Sequence, residues 1–174
     1  MSEVFSPGTF LVRPRSPLLE RGATTSGAKS YRNVQWSAGG LRSNVRKTVG
    51  AKRVGLDYER KVLDVLSAIY GSAFTESPAI RYEYRRRYRL AIPDGILRLP
   101  GETIIVEVKL SHTELVWEQL VERYATLVRI LEPRSIVRTV EVCRYYNPDV
   151  PVPHELIHSL HRSGEGLEVI QWKL

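Results

Sequence analysis

From residue 55 onward, apolar residues recur with the periods of helices and strands. In GLDYERKVLDVLSAIYG, residues 55–71, Leu56, Val62 and Leu63 lie on one stripe at helical spacing, and Gly71 offers a C-terminal stop. Apolar runs then predict strands at about 79–84, 88–97 and 103–110, with a turn at Pro100-Gly101 between the last two.

A second helical stripe follows the third strand. SHTE at 111–114 has the form of a capping box with Ser111 as N-cap, which predicts a helix to about Leu131 that Pro133 ends. The pattern next predicts a strand at about 136–146, a short helix at 153–162 and a last strand at 167–172. The order αβββαβ, then αβ, predicts an α/β fold with a mixed central sheet flanked by helices.

The first third of the chain lacks this periodicity. It is rich in Gly, Ser, Thr and Pro, and residues 1–54 carry a net charge of +8 against −1 for residues 55–174. We therefore expect a basic, extended N-terminal arm over 1–54 and one folded domain over 55–174. Such an arm favours a polyanion such as DNA or RNA, with Arg46, Lys47, Lys52 and Arg53 as candidate contacts. A purely solubilising tail is the alternative.

Three features bear on location. No run of about 18 apolar residues exists to span a membrane, and the N-terminus lacks the basic-then-apolar pattern of a secretion signal. The only cysteine, Cys143, rules out an internal disulfide and fits a reducing compartment. We expect a cytoplasmic or DNA-associated protein that is neither secreted nor membrane-bound.

Charged residues interrupt the apolar pattern where burial is expected. Glu107 and Lys109 stand inside the apolar strand at 103–110, and Asp94 falls at the centre of the strand predicted at 88–97. Glu59 lies on the apolar stripe of the first helix, three residues from Leu56. Charges in such positions are costly unless they are paired, metal-bound or used. Clustered carboxylates need a compensating cation, and hard oxygen ligands favour Mg²⁺ or Mn²⁺ over zinc.

These residues resemble the active-site pattern of the PD-(D/E)XK nuclease superfamily. Pro93-Asp94, twelve intervening residues and Glu107-Val108-Lys109 match its motif, with a preceding helix that carries Glu59 and a following helix. The resemblance is nearest to small junction-resolving or phage-type endonucleases. It implies a restriction-endonuclease-like αβββαβ core and a Mg²⁺-dependent endonuclease that hydrolyses phosphodiester bonds in duplex or branched DNA.

The resemblance also implies a role for each matching residue. Asp94 and Glu107 would bind the metal with the Val108 carbonyl, and Glu59 would complete the set of ligands. Lys109 would orient the attacking water and offset charge on the phosphate.

One departure concerns the helix after the lysine strand. Some branches of the superfamily carry a Gln and a Tyr four residues apart there, whereas Gln119 and Tyr124 are five apart. At 3.6 residues per turn this is a rotation of about 140°, so the two side chains are not expected to share a face. We expect Tyr124 in the core and treat Gln119 as a candidate support for the metal ligands.

An arginine-rich segment stands beside these residues. RYEYRRRYR at 81–89 is predicted to form a hairpin whose tip, Arg85, Arg86 and Arg87, could track a phosphate backbone while tyrosines stack on bases. A solvated hairpin tip is the alternative.

Other functions stay open at this point. Asp94 could cap a turn while Glu107 and Lys109 form a surface pair on an edge strand, or the domain could bind DNA or build an assembly without cutting. HELIH at 154–158 matches the H-E-x-x-H pattern of zinc peptidases, but the sixteen residues that follow offer no convincing third ligand. A homodimer and a separate protein or nucleic-acid partner for the arm also remain open.

Overall fold

The computed structural model of the chain describes residues 30–37, 51–113, 115–146 and 167–174. Helix α1 spans Ala51–Tyr70 and runs into a short 3₁₀ turn at Gly71–Ala73. Helix α2, residues 115–131, has three consecutive stretches. They are α-helical at Leu115–Trp117, π-helical at Glu118–Ala125 and α-helical again at Thr126–Leu131.

The strands form two sheets. In chain order they are β1 (Arg32–Ser37), β2 (Phe74–Glu76), β3 (Ala79–Tyr84), β4 (Arg87–Ala91), β5 (Gly95–Leu99), β6 (Glu102–Ser111), β7 (Ile136–Tyr145) and β8 (Leu167–Gln171). The larger sheet has the order β2-β5-β6-β7-β8, antiparallel up to β6 and parallel beyond it. The smaller sheet is antiparallel with the order β1-β3-β4. The prediction of an α/β fold with a mixed central sheet is confirmed.

The central strand β6 is buried on both faces. Val106 and Val108 pack with α1, while Ile105 packs with α2, as the alternation of a strand requires. Burial on both sides explains why β6 reads as a nearly continuous apolar run. The helices thus flank the sheet as predicted. Not every residue of the predicted α1 stripe is buried, since Leu56 is exposed while Tyr58 joins the core.

The strand predicted at 88–97 is wrong as a single element. It divides into β4 and β5, which belong to different sheets, and Ile92, Pro93 and Asp94 connect them. Pro93 lacks an N–H for a strand ladder, which favours the break at this position. Asp94 therefore lies between two strands and not at the centre of one. The next residue, Gly95, backs onto Phe74 so closely that a Cβ there would lie 2.3 Å from the ring.

The structure also differs from the prediction near the N-terminus. Residues 32–37, which we assigned to the extended arm, form β1 on the edge of the smaller sheet, and α1 already begins at Ala51. Val34 and Trp36 of β1 pack against the core, but two alternating apolar residues are too short a pattern to stand out. The rest of the arm, residues 1–29 and 38–50, lies outside the described residues.

Three further predictions have different outcomes. Ser111 is not an N-cap, since it is the last residue of β6 and α2 begins at Leu115. The main-chain pairing with β7 explains the difference, because the His112 N–H still donates to the Tyr145 carbonyl at 3.0 Å. The last strand is confirmed at Leu167–Gln171, whereas the short helix predicted at 153–162 lies outside the described residues.

Among the residues that the structure describes, no helix has the length and apolar character to cross a membrane.

Candidate active site

Asp94 is fixed by the connection between the two sheets. Its Oδ2 accepts a hydrogen bond of 2.7 Å from the Val108 main-chain N–H. Its own carbonyl accepts one of 2.9 Å from the N–H of Ser77. The ladder between β5 and β6 ends at the pair Gly95 and Val106, so the Val108 N–H is free to bind the carboxylate. Hydrogen bonds therefore fix both the side chain of Asp94, against β6, and its main chain, against Ser77.

Glu107 and Lys109 project from the same face of β6, the middle strand of the larger sheet. The Glu107 side chain is only 2% exposed, while that of Lys109 is 33% exposed. The Lys109 Nζ donates a hydrogen bond of 2.6 Å to Glu107 Oε1. The alternative of a surface pair on an edge strand is therefore wrong. The second carboxylate oxygen, Glu107 Oε2, is buried and has no hydrogen-bond partner among the described residues.

Glu59 faces this cluster from α1. It is half-buried, and its surroundings raise its pKa to about 7, first through burial and then through the charge of Asp94. Lys109 opposes that rise, so the carboxylate of Glu59 is close enough to interact electrostatically with both residues. The structure thus brings Asp94, Glu107 and Lys109 together, and it places Glu59 of α1 within electrostatic range of Asp94 and Lys109.

Their surroundings raise the pKa of all three carboxyl groups in the cluster. Burial raises the pKa of Glu107 to about 7 and repulsion from Asp94 adds to the rise, while Lys109 and a hydrogen bond from the Asp94 main chain oppose it. Burial likewise raises the pKa of Asp94, although the Val108 N–H and Lys109 oppose it. Burial by itself would lower the pKa of Lys109, but Glu107 and Asp94 outweigh it and the pKa is raised. Within the cluster one amine faces three carboxyl groups, and Arg60 also lowers the pKa of Glu59.

The π-helical stretch of α2 adds two side chains to the site. The Gln119 Nε2 donates to Glu107 Oε1 at 2.7 Å and to the Tyr124 hydroxyl at 2.8 Å. The Tyr124 hydroxyl in turn donates to the Ile92 carbonyl at 3.2 Å, next to Asp94 in the chain. The prediction that Gln119 and Tyr124 cannot share a face is therefore wrong. A π-helix closes i→i+5 hydrogen bonds, which bring residues five apart onto one face.

Tyr124 is buried, as expected of a core residue. Burial raises its pKa to about 12, and the nearby Glu107 contributes. Its hydroxyl nevertheless belongs to the site, because it links Gln119 to the connection that carries Asp94. The five-residue spacing was the available signal, since one extra residue relative to a spacing of four is what a π-helical turn absorbs.

A second buried pair lies on the strand next to Glu107. The His112 Nδ1 and Glu141 Oε2 are 2.6 Å apart, and both side chains are almost fully buried. Glu141 is the register partner of Glu107 across β6 and β7, and burial raises its pKa although His112 opposes the rise. Nothing in the local sequence distinguishes this pair, because its members are 29 residues apart.

The predicted nucleic-acid contacts lie in three places. Arg85 and Arg86 form the turn between β3 and β4, and Arg87 begins β4; all three are exposed. Lys52 and Arg53 are exposed in the first turn of α1, where Arg53 Nε lies 3.8 Å from Asp57 Oδ2. Arg46 and Lys47 lie outside the described residues, as does the HELIH segment at 154–158.

The fit of a divalent cation can be tested on the oxygen atoms present. Within residues 30–37, 51–113, 115–146 and 167–174, no three His, Cys, Asp or Glu side chains converge as a ready-made metal cage. Mg²⁺ does not require one, because it is usually held by one or two carboxylates and keeps several waters or substrate oxygens. Asp94 and Glu107 supply two carboxylates, and Glu107 Oε2 is a buried acceptor without a partner in the described part of the chain. The donor set therefore fits one hard cation.

Comparisons of the chain with models of protein families, with curated proteins and with solved structures find no match. Function has to be inferred from the side chains of the site.

Proposed function

We propose that the chain is a Mg²⁺- or Mn²⁺-dependent nuclease that hydrolyses DNA phosphodiester bonds at a site of the PD-(D/E)XK type. One observation carries the proposal. Glu107 is 2% exposed on the central strand, lies beside a second, partly buried carboxylate, Asp94, and keeps one oxygen without a partner in the described residues. Such an arrangement weakens a fold, and it is typical of sites whose charges serve chemistry.

Asp94 and Glu107 would hold the cation. The Val108 N–H fixes one oxygen of Asp94, and Lys109 and Gln119 both donate to Oε1 of Glu107. Each carboxylate thus has one oxygen that orients it and another that can bind metal. When bound, Mg²⁺ lowers the pKa of a coordinated water and offsets negative charge on the phosphate.

Lys109 acts as a cation in this proposal. Glu107 and Asp94 raise the pKa of Lys109, which favours the charged form of the amine. A protonated amine within hydrogen-bond reach of Glu107 can instead orient the attacking water and stabilise charge that develops on the scissile phosphate. Glu59 lies at the margin of the site, where it can act on the cation through water.

The arginine-rich hairpin supports DNA as the substrate. Arg85, Arg86 and Arg87 form an exposed basic tip, and the chain passes directly from this hairpin through Ile92 and Pro93 to Asp94. A polyanion held by the tip would lie near the carboxylates. The basic residues of the arm, Arg46 and Lys47 among them, would add contacts to phosphates.

The second candidate is a nuclease-derived protein that binds DNA without cutting it. The same basic hairpin favours it, but binding alone gives no reason to keep an uncompensated carboxylate cluster. No observation in the described residues favours a zinc peptidase.

Cleavage assays test the proposal. The purified chain is incubated with duplex, branched and single-stranded DNA in Mg²⁺, in Mn²⁺ and in EDTA. We expect metal-dependent cleavage that EDTA abolishes. Asp94→Asn and Lys109→Ala should each lose at least about a hundredfold in rate, the usual scale for a preorganised charge.

Glu102→Gln, at the other end of β6, is the matched control and should keep the parent rate. Full activity of either site variant would remove that residue from the mechanism. Binding without cleavage of any DNA in either metal would support the second candidate.

A further inference from the structure

The smaller sheet has one face against the core and one face toward solvent. Ile80, Tyr82 and Ala91 are buried on the inner face. In the β3–β4 register Arg81 lies opposite Leu90 and Glu83 opposite Tyr88, which places these four on the outer face. Tyr88 is 60% exposed and Leu90 is 44% exposed. The outer face thus presents an aromatic and an aliphatic side chain within a basic hairpin.

Tyr88 is supported from one side. The Arg81 guanidinium lies over its ring, with Cζ at 4.3 Å from the centroid, which is a cation–π contact. The other hairpin tyrosine outside the core, Tyr84, already packs against Tyr31 at 5.6 Å and against the guanidinium of Arg85 at 5.1 Å. Tyr88 is therefore the tyrosine of this hairpin whose ring is most open to a further flat partner.

The turn keeps arginines where the backbone disfavours them. Arg85 and Arg86 have φ of +51° and +61°, a conformation that two-residue hairpin turns usually fill with Asn and Gly. Two guanidinium groups are thus held at the tip in spite of backbone strain. Residues 81–89 contain five arginines against one acid, Glu83. The matching partner is strongly anionic, and it must also offer a flat face to Tyr88.

A short stretch of chain joins the outer face to the candidate active site. From Tyr88 to Asp94 the chain has six residue steps, which span at most about 20 Å. The root of the hairpin is anchored, because the Tyr124 hydroxyl donates to the Ile92 carbonyl. A nucleotide on Tyr88 would therefore lie within a few nucleotides of a phosphate at Asp94.

We propose that Tyr88, backed by Arg81, stacks on an unpaired base of the DNA while the arginines at the turn hold the adjoining phosphates. In a continuous duplex each base is covered by its neighbours, so stacking on a protein ring requires a base that has left the stack. The protein then selects DNA with unpaired nucleotides next to the bond it cuts. The selection of a cleavage substrate rests on the proposed nuclease function, whereas the binding preference does not.

A second copy of the chain fits this face less well. A symmetric dimer through the outer face would set the same surface against itself and bring the arginines of both hairpins together. Phosphates next to an exposed base satisfy the charge and the aromatic ring at once.

The experiment is a binding titration by fluorescence anisotropy in EDTA, so that no DNA is cut. Three labelled probes are compared: a blunt duplex, the same duplex with a short single-stranded tail, and that tail made of abasic nucleotides. The parent should bind the tailed duplex most tightly. Tyr88→Ala should lose about tenfold in affinity for that probe, equivalent to about 1.4 kcal/mol, and little for the other two.

Two variants serve as controls. Tyr88→Phe keeps the ring and should keep the preference for the tail. Ile136→Ala removes another half-exposed side chain, at the start of β7, and should change nothing. Equal losses by Tyr88→Ala on all three probes, or no loss on any, would overturn the proposal. A change in oligomeric state of Tyr88→Ala in sedimentation would overturn it in favour of a protein interface.

The two proposals can fail separately. If the tail binds in a Tyr88-dependent way but no DNA is cleaved in Mg²⁺ or Mn²⁺, the nuclease proposal is wrong and the unpaired-base site is retained. If DNA is cleaved at the same rate with and without the tail and in Tyr88→Ala, the nuclease proposal is retained and the unpaired-base site is wrong.

Discussion

Strand β6 carries a cluster of charges at each end, and the two clusters are built differently. At the start of the strand, Glu102 shares the Arg138 guanidinium of β7 with Glu168 of β8, at 3.2 and 2.7 Å. Toward the other end, Glu107 shares the single amine of Lys109 with the nearby Asp94. Both clusters combine carboxylates with one cation on neighbouring elements.

The first cluster is complete as it stands. Arg138 is only 13% exposed, and separate nitrogens of its guanidinium bind the two carboxylates. Burial by itself would lower the pKa of Arg138, but hydrogen bonding to Glu168 and the charges of both carboxylates raise it. A planar, permanently charged group with several donors suits such a buried network.

The second cluster holds more carboxyl groups than cations, and under the proposed function a divalent cation would complete it. The ammonium group of Lys109 is a point charge, and it donates a hydrogen bond to one oxygen of Glu107. In spite of this contact, the pKa values of Glu107 and Glu59 are about 7. Both clusters hold buried charge, so burial alone does not distinguish a functional site. Under the proposed function, the distinguishing feature is a carboxylate whose charge the protein leaves without a full counter-charge.

The largest effect should come from breaking the complete cluster. Arg138→Met leaves Glu102 and Glu168 without a cation, and it should lower the free energy of unfolding by about 3–5 kcal/mol. Urea denaturation at neutral pH measures this loss. Cleavage per folded molecule should not change, because Arg138 is remote from Lys109 along β6 and β7.

A second substitution tests the reason for that loss. Adding Glu168→Gln to Arg138→Met removes one of the two carboxylates that lost their cation, and it should restore part of the stability. A loss of less than about 1 kcal/mol in the single variant would show that the Arg138 network is not structural.

Removing the cation of the incomplete cluster should cost less. Lys109→Met should lower stability by about 1 kcal/mol at pH 8, because Lys109 is partly exposed and the carboxyl groups can take up protons instead. At pH 5 the cost should shrink, since Glu59 and Glu107, with pKa values of about 7, are then neutral. Urea denaturation in EDTA at both pH values measures it. A loss as large as that of Arg138→Met at both pH values would make the two clusters equivalent.

How far the sequence predicts this molecule depends on the range of each interaction. Apolar periodicity located α1, β6 and β7, because burial of their faces imposes a repeat that the chain itself displays. The charged residues that break the repeat, Glu107 and Lys109, could be singled out for the same reason. Glu59 and Asp94 were singled out likewise, and the structure places Asp94 near Glu107 and Glu59 within electrostatic range of Asp94 and Lys109.

The features that were missed depend on tertiary contacts. Strand β1 is six residues long and pairs with β3, which lies far along the chain. The residues next to β1 in the sequence therefore give no sign of the strand. The change of sheet at Pro93 had a local signal, the missing N–H of the proline, but the strand-like sequence on both sides of it predicts one continuous strand. The π-helical turn at Gln119–Tyr124 overrides the 3.6-residue repeat on which the prediction relied. The buried pair of His112 and Glu141 arises from strand pairing alone.

In the proposed site Glu107 is an uncompensated charge held for a cation, and the stability of Glu107→Gln tests this role. The folded state raises the pKa of Glu107 from about 4.5 to about 7, so it binds the proton more tightly than the unfolded chain does. Proton binding by Glu107 therefore stabilises the folded state, and this contribution is fully present below pH 4.5 and is lost as the pH rises through 7. Above that range the ionised carboxylate destabilises the fold, by about 1–3 kcal/mol.

The decisive measurement is the melting temperature of the parent, Glu107→Gln and Glu102→Gln, in EDTA and in Mg²⁺, at pH 8 and pH 5. At pH 8 in EDTA, Glu107→Gln should melt a few degrees above the parent, and Glu102→Gln should melt below it because Arg138 loses a partner. The gain of Glu107→Gln should fade at pH 5. Mg²⁺ should stabilise the parent and Glu102→Gln by mass action but not Glu107→Gln. If Glu107→Gln melts below the parent at pH 8 in EDTA, and Mg²⁺ shifts all three proteins equally, Glu107 is a structural residue and the metal site is wrong.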